Sequence, residues 1–97
     1  MKFVSYAKYI NDNAKIIALR PAHRDYVRKL LSQGKLALAG PFSDDSGGLF
    51  IYEVDSAEAA SAIVAEDPFS INGVYEKVEI KPWTLVFSNV ELFRTTT

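Results

Sequence analysis

From Lys2 to Tyr9 (KFVSYAKY) apolar and aromatic residues recur with period two, the spacing of a β-strand. Asn11, Asp12 and Asn13 follow as turn and cap chemistry. From there the period lengthens. His23, Tyr26, Val27, Leu30 and Leu31 stand at i, i+3, i+4, i+7 and i+8, the apolar stripe of an amphipathic helix. This helix either runs on from Ala14 or restarts near Pro21, because proline suits a first turn and not a helix interior. It reaches about Gln33, where Gly34 is a well-placed stop. Asp25 and Lys29 form an i, i+4 pair on its solvent side, and Arg24 and Arg28 repel weakly.

Leu36 to Ala39 reads as a short apolar strand ending in Gly40-Pro41, and Leu49 to Val54 as a third strand. The polar run Ser43 to Gly48 joins them as a hairpin. Asp55 or Ser56 caps a second helix, with Glu58 completing a capping box if Asp55 is the cap. Its buried face is Ala60, Ile63 and Val64, and Asp67-Pro68 ends it. Phe69 to Val74 reads as an irregular crossing segment, and Tyr75 to Trp83 alternates as strand four.

The order strand, helix, strand, strand, helix, strand predicts an α+β, ferredoxin-like βαββαβ domain over residues 1–97. Both helices then cover one face of an antiparallel sheet. Strands one and three carry apolar residues at both parities, Phe3 with Val4 and Phe50 with Ile51. A sheet with two apolar faces and helices on one needs a second sheet, which a homodimer through the free sheet face supplies. Leu85, Val86, Phe87, Val90, Leu92 and Phe93 are too apolar for a free tail. They are expected to pack on the body or on a partner chain, and Thr95 to Thr97 to fray.

Composition narrows the chemistry. The chain has no cysteine and one histidine, which removes thiolate nucleophiles and disulfides and argues against a zinc site. The net charge of −1 gives no general attraction to nucleic acid or anionic membrane. The strand order is shared with RNA-recognition modules, but the basic residue that opens their aromatic motif is missing before Leu49 to Val54. Met1 to Tyr9 alternates instead of forming a signal peptide's apolar core, and no membrane-length apolar run occurs, so a cytoplasmic location is expected. No phosphate loop, nucleophile elbow or HExxH pair is present, and neither cofactor nor metal is expected.

Two positive signals remain. Arg20-Pro21-Ala22-His23 puts a guanidinium and a titratable imidazole three residues apart, which suits an anionic or carbonyl-bearing ligand. Asp67-Pro68-Phe69 places an acid where helix two turns toward strand four, within feasible reach of His23. Ser43 and Asp44, after Gly40-Pro41, are further candidates for lining the pocket, and Tyr6 or Tyr52 for supplying a phenol.

Arg20-Pro21-Ala22-His23, Gly34, Gly40-Pro41, the helix entry Asp55 to Ala60, Asp67-Pro68-Phe69, Gly73-Val74 and Lys81-Pro82-Trp83 together resemble the YCII (YciI-like) family over nearly the whole chain. The resemblance implies a fold similar to the dimeric α/β-barrel proteins and an active site built on a histidine–aspartate pair, here His23 and Asp67. It also implies acid–base chemistry of the elimination or isomerisation type on a small polar organic molecule. The alternative is a non-catalytic, small-ligand-binding or regulatory homodimer using the same pocket. The chain departs from the family in its short Ser43 to Gly48 hairpin and its extended apolar C-terminus.

Overall fold

Phe3, Ser5, Ala7 and Tyr9 alternate as the buried side of β1 (Lys2–Tyr9), which is a central strand of the sheet. The computed structural model describes residues 1–95. After β1 come α1 (Asn13–Ser32), β2 (Leu36–Pro41), β3 (Gly47–Glu53), α2 (Ala57–Glu66), α3 (Pro68–Ile71) and β4 (Tyr75–Trp83), followed by a single 3₁₀ turn at Val90–Phe93. The four strands lie in the order β2-β3-β1-β4 with every neighbouring pair antiparallel. This is the expected ferredoxin-like plan.

Helix α1 is continuous through Pro21. The missing proline N–H leaves the carbonyl of Ile17 without its helical donor. Ile17 is exposed, so water can serve that carbonyl. Asp12 caps the helix by accepting from the Lys15 N–H. The buried stripe is Ile16, His23 and Leu30, flanked by the partly buried Leu19, Tyr26 and Val27. Leu31, expected on the stripe, is exposed. Eight residues beyond His23 a helix has turned roughly 80° too far, whereas seven bring it back within about 20°. Asp25 pairs with Arg28 at 2.9 Å and not with Lys29.

Ser56, not Asp55, caps α2, accepting from the Ala59 N–H at 3.1 Å. Glu58 therefore sits one position too early for a capping box. The segment expected to be irregular opens with one helical turn, α3, because the Asp67 carboxylate accepts from the Phe69 N–H at 2.9 Å and Pro68 fits the first helical position. Helices α1 and α2 are tied across their shared layer by the Tyr26 hydroxyl, which donates to the Ile63 carbonyl at 2.7 Å. The main core lies under them, between Leu30, Ile63 and Val64 above and Ala7, Leu36, Phe50 and Tyr52 on the sheet. A second cluster, Tyr9, Ile16, Phe69 and Val74, closes the other end. At Gly47, opposite Lys8, a Cβ would collide with the Ala7 carbonyl oxygen, so only glycine lets β1 and β3 close there.

The other sheet face carries Val4, Tyr6, Leu38, Leu49 and Trp83, of which Tyr6, Leu38 and Trp83 are exposed. The apolar residues beyond β4 are exposed as well, Phe87 by 91% and Leu92 by 77%, so this chain's own body does not cover them. Thr95, expected to fray, lines a cavity beside α1, while Thr96 and Thr97 lie outside the described residues. No described helix is long and apolar enough to cross a membrane.

Candidate active site

His23 is 7% exposed and Asp67 2%, and nothing in the apolar layer around them would tolerate either group unpaired. They satisfy each other. His23 Nδ1 lies 2.7 Å from Asp67 Oδ1 and 3.0 Å from Oδ2. The carboxylate also accepts from the Phe69 N–H through Oδ1 and from the Tyr75 hydroxyl at 3.0 Å through Oδ2. With acceptor-only oxygens facing it, Nδ1 carries the proton. The ring face is set by Phe69, stacked at 4.0 Å between centroids and 2° between planes, with Phe50 edge-on. Asp67 takes Nδ1 and Phe69 one face, leaving Nε2 as the nitrogen available to a ligand.

Each piece arrives from a different element. His23 comes from the α1 stripe, Asp67 from the α2–α3 junction, Phe69 from α3, Tyr75 from the first position of β4 and Phe50 from β3. Asp67 does two jobs with one carboxylate: it caps α3 and fixes the imidazole.

His23 borders a cavity of about 380 Å³ between α1 and β2, with Tyr9, Val27, Phe50 and Gly40-Pro41 among its walls. That is near the lower end of small-molecule sites, room for a single ring with substituents. The phenol of Tyr9 is buried, and burial first, then the carboxylate of Asp45, pushes its pKa above the ordinary tyrosine value. At neutral pH it is a hydrogen-bond donor.

Arg20 borders the cavity, as expected of a ligand-binding arginine, but its Nη2 already donates to both oxygens of Asp45 at 2.7 and 2.8 Å. Ser43 and Asp44 do not wall this cavity. They line a separate shallow depression with Tyr6, Phe42 and Ser46 on the hairpin side. Tyr52 is core, and Tyr6 sits against Phe42. The residues the sequence reading passed over are Tyr9, Arg24, Tyr75 and Asp45. Among the described residues no cluster of three His, Asp or Glu side chains comes together to hold a metal.

Three other phenols give the domain a measurable alkaline limit. Burial pushes Tyr26 up to about 12, with Glu66 adding to it. Burial and then the charge of Asp67 hold Tyr52 and Tyr75 well above the ordinary range. A raised folded pKa means stability fully present below the unfolded value of roughly 10, and lost as pH rises through the folded values. The melting temperature is therefore expected to fall progressively above about pH 10, with a shallower slope in Tyr26→Phe. Thermal melts followed by circular dichroism from pH 8 to 12 test this, and a Tm independent of pH across that window contradicts it.

A four-stranded antiparallel sheet with a buried histidine–aspartate pair under its helices, opening on a one-ring cavity, defines a ferredoxin-like domain of the dimeric α/β-barrel type. The chain belongs to the YCII-related domain family, whose profile matches residues 1–84. It is 38% identical over 98 residues to protein YciI of Escherichia coli O6:H1 (strain CFT073), spanning 90% of this chain and 100% of that one. Its fold superposes with a TM-score of 0.77 on 5-chloro-2-hydroxyhydroquinone dehydrochlorinase (TftG) from Burkholderia phenoliruptrix in complex with 2,5-dihydroxybenzoquinone. That pair is 26% identical over 87% of this chain and 94% of the other. Muconolactone isomerase, 16% identical with a TM-score of 0.69, shares the fold over 93% of this chain and 95% of its own. The fold is thus one that small-molecule enzymes use. The exposed apolar segment after Thr84 lies beyond the family match.

Proposed function

We propose that this chain is a small acid–base enzyme acting on a single-ring organic molecule by elimination or isomerisation, with His23 as the proton carrier. The observation that carries this is the double hydrogen bond from His23 Nδ1 to the buried carboxylate of Asp67, which places a proton on Nδ1 and makes Nε2 the basic nitrogen of the neutral ring, in a residue that borders the cavity. An imidazole held in that tautomer accepts a proton through Nε2. The resulting imidazolium is balanced by the Asp67 carboxylate and by the π face of Phe69. Tyr9 donates to the oxygen on which negative charge develops as a carbon next to a carbonyl is deprotonated. In an elimination, the C–H electron pair becomes the new double bond and the leaving group departs with its own pair. In an isomerisation, His23 returns the proton to a different carbon. No cofactor enters either route.

The dehydrochlorinase similarity selects the first assay: chloride release from 5-chloro-2-hydroxyhydroquinone. The second is deuterium uptake from D₂O into enolisable cyclic ketones and hydroxyquinones, followed by proton NMR. Turnover or exchange by the wild-type chain supports the reading. Ligand binding with neither reaction places the chain with non-catalytic binders and overturns it.

The working unit in this reading is a homodimer joined through the sheet face that bears Tyr6, Leu38 and Trp83, with the apolar segment after Thr84 reaching onto the partner. The exposure of those residues on a single chain supports it. Leu38→Asp, which buries a charge in such an interface, is expected to convert a dimer to monomers with the fold retained. Sedimentation of the wild-type chain as a monomer at tens of micromolar would remove this part of the proposal.

A further inference from the structure

Three arginines border the His23 cavity from one side of α1: Arg20, Arg24 and Arg28, each one helical turn after the last. Their charges are not equally available. Arg20 is neutralised by Asp45 through two contacts of 2.7 and 2.8 Å. Arg28 makes an exposed pair with Asp25, the kind that contributes little and yields readily. His23 faces the Asp67 carboxylate. Arg24 has no carboxylate partner among the described residues. It stands one residue after His23, exposed at the rim. The walls inside that rim are apolar or aromatic, with Val27 and Phe50 among them.

We propose that Arg24, with Arg28 beside it, is the anion subsite of this cavity, and that the ligand is a flat monocyclic anion bearing a carboxylate or an equivalent acidic enol. The ring occupies the apolar interior next to His23, and the charged group lies at the rim against the guanidinium of Arg24. A planar fork of donors matches a two-oxygen anion in a way that a lysine point charge does not. The Arg20–Asp45 pair has the complementary role. It removes one positive charge from the site and fixes the hairpin tip, so that the ligand's charge is directed to Arg24. This inference rests on the His23 cavity being the ligand site, as in the reading above, but not on catalysis taking place there.

The test exploits the single imidazole. His23 is the only histidine, so its Cε1–H NMR signal is an unambiguous reporter of the cavity. Benzoate is titrated against its neutral isostere benzamide in the wild-type chain and in Arg24→Gln, Arg24→Lys and Arg20→Gln. Benzoate is expected to shift the His23 signal and to bind at least tenfold more tightly than benzamide. Arg24→Gln should abolish that preference and Arg24→Lys restore part of it, whereas Arg20→Gln, with its partner Asp45 released, should not mimic Arg24→Gln. Because Arg24 is exposed, these variants should fold, which an unchanged His23 signal in the free protein verifies. Equal affinity for benzoate and benzamide, benzoate affinity indifferent to Arg24→Gln, or no His23 shift with benzoate each overturns the subsite. Its fate is separable from that of the enzyme reading. Anion preference without exchange chemistry sinks catalysis alone, and exchange chemistry without anion preference sinks the subsite alone.

Discussion

Replacing His23 by Asn is expected to lower turnover by about 10²- to 10⁴-fold, the usual contribution of a positioned proton carrier. The choice of asparagine matters. His23 is one of the donors to a carboxylate that is 2% exposed. An alanine there would leave Asp67 short of a partner in an apolar layer, and lost activity would be confounded with lost fold. Asparagine keeps an N–H directed at Asp67 but has no group equivalent to Nε2 that titrates. The variant should therefore melt near the wild-type temperature while losing exchange and elimination activity together. Initial rates at saturating substrate, with Tm measured on the same preparation, make the check. Turnover unchanged in a folded His23→Asn protein removes His23 from the chemistry.

The two ends of this dyad were legible in the sequence because each breaks a local rule. His23 is a polar residue on an apolar stripe, and Asp67 is an acid fixed in place by the proline that ends α2. The strand order and the single-sided helix layer followed from period and punctuation alone. Other features depend on facing elements. Tyr9 shares the parity of Phe3, Ser5 and Ala7 on the helix side of β1, whereas Tyr6 has the opposite parity and faces away. That signal was present in the alternation, but it becomes decisive only once register shows which face the helices cover. At the hairpin tip the sequence offered Asp44 and Asp45 as neighbours. The turn puts Asp45 at a φ of 59°, where an aspartate is tolerated, and from there its carboxylate meets Arg20. No spacing rule distinguishes adjacent aspartates before the turn geometry is known. The arginines at 20, 24 and 28 stand as an i, i+4, i+8 row, yet the sequence points to Arg20 as the ligand-binding one and offers Arg24 and Arg28 only as a weakly repelling pair. What makes Arg24 the available one is the set of carboxylates that tertiary structure brings to its neighbours.

Asp67→Ala is expected to be the most destabilising substitution at the site, and comparison with Asp67→Asn separates the two jobs of this carboxylate. Its oxygens accept from His23, from the Phe69 N–H and from the Tyr75 hydroxyl, all in buried or part-buried positions. Alanine strands these donors together. Each unsatisfied buried donor costs about 1–3 kcal/mol. Allowing for relaxation, a total of roughly 3–5 kcal/mol is expected, comparable with breaking a buried ion pair from one side. Against the usual 5–15 kcal/mol of a native domain that is a large fraction, and at about 4–8 °C per kcal/mol it lowers Tm by at least ~12 °C. The loss should also unwind the start of α3, because the same carboxylate caps it. Asparagine keeps the volume and one acceptor oxygen, and the Tyr75 hydroxyl can turn to accept from the new NH₂, so the stability cost should be only about 1–2 kcal/mol. Its effect on chemistry should be far larger. The amide oxygen, kept at the Oδ1 position by the Phe69 N–H, still accepts from Nδ1 2.7 Å away, but a neutral amide brings no charge to balance the imidazolium that forms when Nε2 takes a proton. Asp67→Asn is therefore expected to combine a small fall in Tm with a loss of activity close to that of His23→Asn. The ¹⁵N shifts of His23, the sole imidazole, should show the Nδ1–H tautomer retained, so that the loss traces to the missing charge. A melting temperature for Asp67→Ala within a few degrees of wild type contradicts the structural role. An Asp67→Asn protein with activity intact contradicts the second job, because the charge of the carboxylate would then be dispensable to the histidine it holds.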